Sequence, residues 1–498
     1  MQRLIIVLIL IWLGWHVAIP IDLTVSDLGR HIKNGELIAH GNGDVLYKNF
    51  YSYTNPQYPF INHHWLFGVF CYVIWHFVGI TGLYFIYVML ELLTFYVFFD
   101  LARRSSSFIT ACAFGLLAFP LISFRYEIRP EGISCLFAGL FWWMILAFQE
   151  KRIKPVQLTI SLCALQVLWV NIHIFFILGP LLIFLFWCQE RSNGRKEEAA
   201  VLQKIFFCLL AACLINPSGI NGALVPFQLG KAYSYLIMEN ASVFYLLSTK
   251  MFFLRPLLLY FLVALGILVL GLLFLVQKEG FKKYIFITSL ALILSLTAMK
   301  ASRMIGILGF FWIPMMAFIY TKWIESKTVH VQKIIEVLVV ITAIIVSAYV
   351  NCDWKQRHSL GVVAGCNDAA YFFKHERISG VIFNNYDIGG YLIFHLSPQH
   401  QMFVDDRMEA YPEDFLKKTY IPMQMDNDLW QKMEIKYHFN VIFYTLDATP
   451  WGYAFLKERF KDHSWAVVYL RNNAVIFLKR NAQNASIIKG HELHVQVS

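Results

Sequence analysis

Charged side chains are scarce in this sequence. Only 15% of the 498 residues are Asp, Glu, Lys or Arg, whereas 58% are hydrophobic. Soluble globular domains contain about 25% charged and about 45–50% apolar residues, so the composition excludes an ordinary soluble globule. The sequence therefore predicts a polytopic membrane protein.

Other features are also missing. Residues 4–20 form an apolar run after Arg3, but no small-x-small cleavage site precedes Asp22, which favours an uncleaved anchor over a signal peptide. Seven of the nine cysteines lie in or beside apolar segments, so the sequence implies no disulfide scaffold. A bridge between Cys352 and Cys366, in the polar C-terminal region, is the one option left. We find no internal repeat and no low-complexity tract.

Long apolar runs are what the sequence does contain. Crossing a bilayer takes roughly 20 apolar residues, and about eleven spans are predicted on this basis. They are residues 4–20, 80–101, 108–124, 131–149, 157–172, 173–190, 201–216, 255–277, 283–299, 303–322 and 333–350. Residues 65–78 form a shorter aromatic segment containing His76, and we predict that it lies in the membrane interface.

Basic residues predict the orientation of these spans. The net charge is +10, but Lys and Arg lie in short loops between apolar runs, as orientation signals do, so we discount nucleic acid as a partner. If residues 65–78 stay in the interface, clusters such as Arg103 with Arg104 lie on the cytoplasmic side with the N-terminus. The loop 21–79 and the chain after Tyr349 are then exoplasmic.

The composition changes near the C-terminus. From Asn351 onward the charge rises and short β-rich runs appear at 380–383, 401–404 and 440–444, followed by a hairpin over 465–478. Helices are predicted over 367–375 and 428–437. The predicted architecture is an all-α polytopic membrane domain over 1–350, which includes the first exoplasmic loop with its juxtamembrane helices, and a C-terminal α/β exoplasmic domain over 351–498.

Short polar motifs recur in a characteristic order along the chain. The first loop contains Asp27-x-x-x-His31, Asn34-Gly35, residues 50–54 and His63-His64-Trp65-Leu66. Later motifs are Arg125 to Glu131, Trp169 to His173, Asn216 to Gly219, Arg303, Asn385 to Leu392 and Val404 to Arg407. This order resembles the GT-C superfamily of polyprenyl-phosphate-sugar-dependent glycosyltransferases, and more narrowly a bacterial branch of it. His64 departs from the pattern because an acid is expected before the Trp.

The resemblance implies a catalytic acid in the first exoplasmic loop, and Asp27 is the matching position. Transfer of a sugar from a lipid phosphate needs a base for the proton of the acceptor hydroxyl. On a juxtamembrane helix, Asp27 and His31 would share a face, where they can hydrogen-bond or jointly hold a divalent ion. The alternative is that Asp27 caps the helix and His31 lies at the interface.

The departing phosphate needs cations, and three arginines are candidates. Arg125 and Arg129 lie four residues apart, and paired guanidiniums bind phosphate in a bidentate manner. The alternative is that they snorkel to the interface or pair with Glu127 and Glu131. Arg303, which opens a span, has the same two interpretations.

Further polar residues are candidates for the cavity that holds the substrate. His63 and His64, with His31, suggest a divalent metal site, although adjacent histidines in an aromatic loop are more often hydrogen-bonded surface groups. Glu131, Asn171 and His173 are predicted to line the cavity, with polar anchoring between packed helices as the alternative.

Two charged residues of the C-terminal region are also candidates. Asp405 and Arg407, with Asp406 between them, follow an apolar run, and exposed charge at a strand end is compatible with acceptor binding. The favoured alternative is a structural salt bridge to the membrane part.

The functional prediction follows from these features together. The chain is predicted to be an integral membrane glycosyltransferase, in the bacterial inner membrane, that transfers a sugar from a polyprenyl-phosphate-linked donor to an exoplasmic acceptor; the resemblance implies inversion. Its expected partners are this donor, membrane lipids and the acceptor. Alternatives are an O-antigen polymerase-like or ligase-like transferase, a non-catalytic relative, and a lipid or solute transporter, against which the absence of Gly/Pro-broken helices in matching halves argues.

Overall fold

The computed structural model describes residues 1–123, 127–228, 238–249, 254–350, 359–446 and 449–495. The chain divides into two compact units. Unit 1 comprises the described parts of residues 1–19, 84–226 and 236–360. Unit 2 comprises the described parts of residues 20–83 and 361–498, with Phe227 and Gln228.

The described chain is mostly helical. In chain order, the α-helices are α1 Gln2–Val17, α2 Leu28–Ala39, α3 Trp65–Ser105, α4 Phe108–Leu117, α5 Phe119–Ile122, α6 Pro130–Gln149, α7 Pro155–Ile172, α8 Leu178–Ser192, α9 Lys196–Ala212, α10 Gly219–Gln228, α11 Val243–Ser248, α12 Arg255–Glu279, α13 Ile285–Lys300, α14 Met304–Ile324, α15 Val329–Val350, α16 Asp368–His375, α17 Gly389–Leu396, α18 Glu413–Phe415, α19 Pro422–Met425, α20 Asn427–Tyr437, α21 Pro450–Arg459 and α22 Ala485–His491. The strands are β1 Val381–Asn384, β2 Phe439–Thr445, β3 Trp465–Arg471 and β4 Ala474–Lys479.

Eight of the described helices are long and apolar enough to cross a membrane, which makes the chain an integral membrane protein. They include α3, α6, α7, α12, α14 and α15, and α8 and α13 with the short 3₁₀ turn before each. Every one of the eleven predicted spans coincides with a helix. However, α1, α4 and α9 have only 16, 10 and 17 residues, so the count of eleven crossings stays a prediction.

Helix α14 forms the centre of unit 1. It contacts α4, α5, α6, α12 and α13, and 72% of an apolar 18-residue stretch of this helix is buried inside the protein. Helix α15 is the opposite case, because only 6% of its apolar 18-residue stretch is buried. An apolar helix with so little protein around it is suited to contact with lipid.

Gly79 interrupts α3. Its φ of 68° and ψ of −176° lie in a region that side-chain-bearing residues rarely adopt, and nothing would contact a Cβ at this position. The break falls between residues 65–78 and the predicted span that begins at residue 80. The location of residues 65–78 in the membrane interface stays a prediction.

Unit 2 contains one four-stranded sheet with the order β1-β2-β4-β3. β1 and β2 are parallel, and the other two pairings are antiparallel. Asn472 and Asn473 have φ values of 48° and 60°, which a two-residue type I′ hairpin turn requires. The predicted hairpin is therefore confirmed, as are the helices predicted over 367–375 and 428–437.

The predicted strand at 401–404 was wrong. Met402 forms a single parallel bridge with Ser52 of the first loop and belongs to none of the four strands. Its backbone N–H donates to Tyr51, and its carbonyl accepts from Tyr53. The apolar pattern reflects burial beneath the loop, not a place in the sheet.

The first loop packs on the C-terminal region within unit 2. α2 lies against α17, where a Cβ on Gly29 would meet the Gly390 carbonyl at 3.0 Å. It also lies against the start of α3, where a Cβ on Gly35 would be 2.1 Å from the Gly68 carbonyl oxygen. The prediction assigned loop 21–79 to the membrane domain, whereas the contacts group residues 20–83 with 361–498.

Candidate functional site

Asp27 occupies the N-cap position of α2 but does not cap it. Its side chain makes no hydrogen bond to the first backbone N–H groups of the helix, and the Leu28 N–H donates instead to the Ser26 hydroxyl. The Asp27 side chain is 25% exposed. The capping interpretation was therefore wrong, and the carboxylate faces other partners.

Arg30 and Asp406 are two described neighbours of Asp27. The Arg30 Nε donates to the Asp406 Oδ1 at 2.7 Å, and an Arg30 terminal nitrogen lies 3.9 Å from the Asp27 Oδ2. The Asp27 and Asp406 carboxyl groups are also within hydrogen-bonding range of each other. One guanidinium thus lies beside two carboxyl groups from distant parts of the sequence.

The electrostatics of this group follow from its burial. Burial opposes the charge on Arg30, but Asp406 and Asp27 outweigh that effect and raise the pKa of the guanidinium. Burial and the neighbouring carboxylates of Asp27 and Asp405 raise the pKa of Asp406 well above its ordinary value, although Arg30 opposes this. Asp406 thus binds a proton more tightly than an ordinary Asp.

Two glycines at the start of α17 bring Asp406 into place. A Cβ on Gly389 would lie 2.5 Å from the Asp405 Cα, and a Cβ on Gly390 would lie 3.0 Å from the Asp406 Oδ2. The Tyr386 hydroxyl donates to the Asp406 carbonyl at 2.8 Å. In the sequence, Asp406 was noted only as part of the charged run after an apolar stretch, and it was not placed among the site residues.

Asp405 and Arg407 form a separate, buried ion pair. The Arg407 Nε and a terminal nitrogen donate to the two Asp405 oxygens, each at 2.7 Å, and the Tyr411 hydroxyl donates to Asp405 at 2.8 Å. Arg407 also donates to the Asn49 side chain of the first loop at 2.8 Å. The expectation of exposed charge was wrong because both residues are buried. The contacts match the alternative of a structural salt bridge. Beyond Asp405, Arg407 contacts Asn49, which belongs to unit 2.

The three predicted histidines of the first loop lie together. The ring centroids of His31 and His64 are 5.6 Å apart, and those of His63 and His64 are 4.0 Å apart. His31 is buried against Phe67, with ring centroids 4.9 Å apart. Across the described residues, however, no group of three or more His, Cys, Asp or Glu is arranged to hold a metal ion, so the proposed metal site has no ligand set.

Unit 1 contains a second polar group, built around Arg129. The Arg129 Nε lies 2.7 Å from a Glu127 oxygen, and a terminal nitrogen lies 3.1 Å from a Glu239 oxygen. The backbone N–H of Arg303 donates to the backbone carbonyl of Glu239 at 3.0 Å. Arg129 therefore pairs with Glu127, as one alternative expected, and with Glu239. Arg125 lies outside the described residues.

The start of α6 is lined with acids. Glu131 lies in its first turn, and a Cβ on Gly132 would be 2.4 Å from both the Glu91 Oε1 and the Tyr87 hydroxyl. The Tyr87 hydroxyl donates to the Arg129 carbonyl at 2.9 Å. Glu91 was missed in the sequence analysis, although an acid in the middle of a predicted span is a signal for a functional residue.

Asn171 and His173 connect helices of unit 1. The Asn171 side-chain amide donates to the Val167 and Ile215 carbonyls at 2.7 and 2.8 Å. The His173 Nδ1 lies 2.9 Å from the Ser134 hydroxyl, which also accepts from the Trp169 indole at 2.8 Å. Both residues are buried, and these contacts match the alternative of polar anchors between packed helices.

Comparison with solved structures identifies the class of fold. The chain is similar to the oligosaccharyltransferase AglB of Archaeoglobus fulgidus, in a complex with an inhibitory peptide and a dolichol-phosphate, with a TM-score of 0.60 and 10% identity over 97% of this chain and 74% of that one. It is also similar to ArnT of Cupriavidus metallidurans in the apo state, with a TM-score of 0.54 and 14% identity over 95% and 97%. No protein-family model and no curated protein matches the chain.

Both neighbours are membrane glycosyltransferases of the GT-C superfamily, so the chain has the GT-C fold. The predicted resemblance is thereby confirmed for the fold. At these identities the likeness establishes nothing about donor or acceptor. Function has to be argued from the residues of the site.

Proposed function

We propose that this chain is an integral membrane glycosyltransferase that transfers a sugar from a polyprenyl-phosphate-linked donor to an acceptor on the exoplasmic face. The observation that carries the proposal is the environment of Asp27. Its carboxyl group is partly exposed, does not cap the helix, and lies beside buried Arg30 and Asp406. A fixed acid at a solvent-accessible helix end is what a general base needs, and the GT-C fold supports this assignment.

The proposed step is a single displacement. Asp27 takes the proton from the acceptor hydroxyl as the acceptor oxygen forms a bond to the anomeric carbon. The bond from that carbon to the phosphate oxygen breaks, and its electron pair leaves with the polyprenyl phosphate. Direct attack of this kind inverts the anomeric centre. His31, buried in the first turns of α2, supports the packing of the helix against α3.

We propose Arg303 and Arg129, with Arg125 on sequence grounds alone, as the cations that bind the donor phosphate. Arg129 already contacts two carboxylates, so phosphate binding requires it to exchange at least one of them. Arginine forms charge-assisted bidentate contacts with phosphate as it does with carboxylate, so the guanidinium stays paired after such an exchange. Arg303, at the N-cap of α14, would add a second positive charge.

The test is a transfer assay with the purified full chain, a polyprenyl-phosphate sugar and an extract of acceptor glycolipids. Asp27→Asn is expected to keep donor binding and to lose on the order of 10² in rate or more. Asp44→Asn is the matched control, because Asp44 lies in the same loop, is exposed and forms a local ion pair with Lys48. Near wild-type transfer by Asp27→Asn would remove Asp27 from the catalytic role, and movement of an intact substrate across vesicles without transfer would favour a transporter.

A further inference from the structure

The buried oxygen of Asp406 lacks a donor. Its Oδ1 accepts from Arg30 at 2.7 Å, whereas its Oδ2 is inaccessible to solvent and receives no hydrogen bond from the described part of the chain. A Cβ on Gly390 would lie 3.0 Å from this oxygen and 3.1 Å from the Ser26 carbonyl oxygen. A buried ionised carboxylate oxygen without a donor is strongly unfavourable. A proton held between this carboxyl group and that of Asp27 removes this free-energy cost.

We propose that Asp27 and Asp406 share one proton and act as a pair, in which Asp406 is a positioning residue that sets the basicity of Asp27. Two carboxyl groups in hydrogen-bonding range cannot both ionise freely, and a proton between them satisfies the orphaned oxygen. Arg30 stabilises the remaining single negative charge. This inference rests on the proposed function only for the role given to Asp27.

The charged groups that the described residues place around the pair fit a state with one proton. Arg30 faces it from α2, and Asp405 and Arg407 flank Asp406 but neutralise each other at 2.7 Å. The Tyr386 hydroxyl is engaged with the Asp406 carbonyl, and Glu409 and Asp387 add negative charge near Tyr386. Arg30 faces both carboxyl groups, so a single proton gives Arg30, Asp27 and Asp406 together a net charge close to zero. The raised pKa of Asp406 agrees with this count.

The pair has a consequence for catalysis. With one shared proton, Asp27 is a moderate base held in a fixed orientation by Arg30 and Asp406. Above the upper pKa of the pair, both carboxyl groups are ionised and Asp27 becomes a stronger base. Transfer by the wild type is then expected to rise through that pH.

The first test needs no substrate. Infrared spectra of the purified full chain near neutral pH are expected to contain a protonated-carboxyl band that disappears in both Asp406→Asn and Asp27→Asn, because each change removes one half of the sharing pair. Asp44→Asn should retain the band. No such band in the wild type, or a band lost only with Asp406→Asn, would overturn the shared proton. Thermal unfolding verifies that each variant is folded, and Asp406→Glu serves as a second variant if Asp406→Asn is not.

The second test follows transfer against pH. Asp406→Asn should retain measurable transfer, since the amide can donate to Asp27 as a protonated carboxyl does, but it should lack the rise at the upper pKa. A wild-type rise that persists unchanged in Asp406→Asn would contradict the positioning role. Absence of transfer by the wild type under all conditions would refute the proposed function while leaving the infrared result intact.

Discussion

The Arg30 Nε lies 2.7 Å from the Asp406 Oδ1, although 376 positions separate the two residues in the sequence. Both side chains are buried, so this ion pair fixes the N-terminal turn of α2 against the chain that follows Met402. Asp27, three residues before Arg30, is thereby oriented by the C-terminal region. The candidate base and its support therefore come from opposite ends of the sequence.

Arg30→Ala is expected to destabilise the protein strongly. Removing the guanidinium leaves a buried carboxyl group without its counter-charge, and losses of about 3–5 kcal/mol are typical of such a change. Arg30→Lys should have a smaller effect because the charge remains while the planar fork is lost. Thermal or denaturant unfolding in detergent measures both changes.

Lys418→Ala is the control for Arg30. Lys418 pairs with Asp414 at 2.9 Å, but both side chains are more than two-thirds exposed. Exposed pairs contribute about 0–1 kcal/mol, so this variant should unfold almost as the wild type does. An Arg30→Ala protein as stable as Lys418→Ala would show that the Arg30–Asp406 pair does not hold α2.

Local patterns predicted much of this fold. The apolar runs located a helix at every predicted span, and the two asparagines after Arg471 indicated the tight turn of the hairpin. Such features depend on neighbouring residues, which the sequence displays directly. The ends of the helices differ from the predicted ends by a few residues. The span predicted over residues 108–124, for example, is divided into α4 and α5, and Pro120 lies in the first turn of α5.

The site was predictable only in part. Asp27 could be selected because its chemistry and its position in the first loop both pointed to it. Asp406 could not be distinguished in this way, because its importance comes from Arg30, which is distant in sequence. The pairing of Glu239 with Arg129 could not be predicted for the same reason. Arg407 was expected to be exposed because it is a charged residue beside an apolar run. The sequence alone does not show that the fold buries this side chain.

Gly35→Ala should disturb α2 and lower activity. The new Cβ would lie 2.1 Å from the Gly68 carbonyl oxygen and 2.7 Å from the Tyr72 Cβ, so the backbones of α2 and α3 must move apart. Overpacking of this kind typically costs about 1–3 kcal/mol. Gly43→Ala is the matched control because nothing lies within 4 Å of its Cβ position. Equal unfolding temperatures for the two variants would contradict the close contact.

The proposed orientation is testable by cysteine labelling in intact cells. Because the basic clusters fit one side of the membrane only if residues 65–78 stay in the interface, a cysteine replacing Glu458 should react with an impermeant reagent from outside. One replacing Asn193 should react only after permeabilisation. Both positions are exposed, and the labelling of the parent chain is subtracted as the control. The opposite pattern would place unit 2 in the cytoplasm.

Arg129→Lys tests the donor-phosphate proposal. The Arg129 fork reaches Glu127 and Glu239 at the same time, and a lysine ammonium is a point charge that cannot reproduce both contacts. If this fork clamps the phosphate when the donor binds, donor affinity should fall by roughly 1–3 kcal/mol in Arg129→Lys. Titration of the purified variant with a polyprenyl-phosphate sugar measures the change.

The two acids around Arg129 separate binding from structure. In the proposed exchange, a carboxylate competes with the phosphate for the guanidinium, so Glu127→Gln should bind the donor as well as the wild type or more tightly. A purely structural Arg129 predicts the reverse pattern, in which Arg129→Lys and Glu127→Gln both lower the unfolding temperature and neither changes donor affinity. Because unfolding and titration are measured on the same preparations, that result would assign Arg129 to the packing of α6 and leave Arg303 as the phosphate ligand.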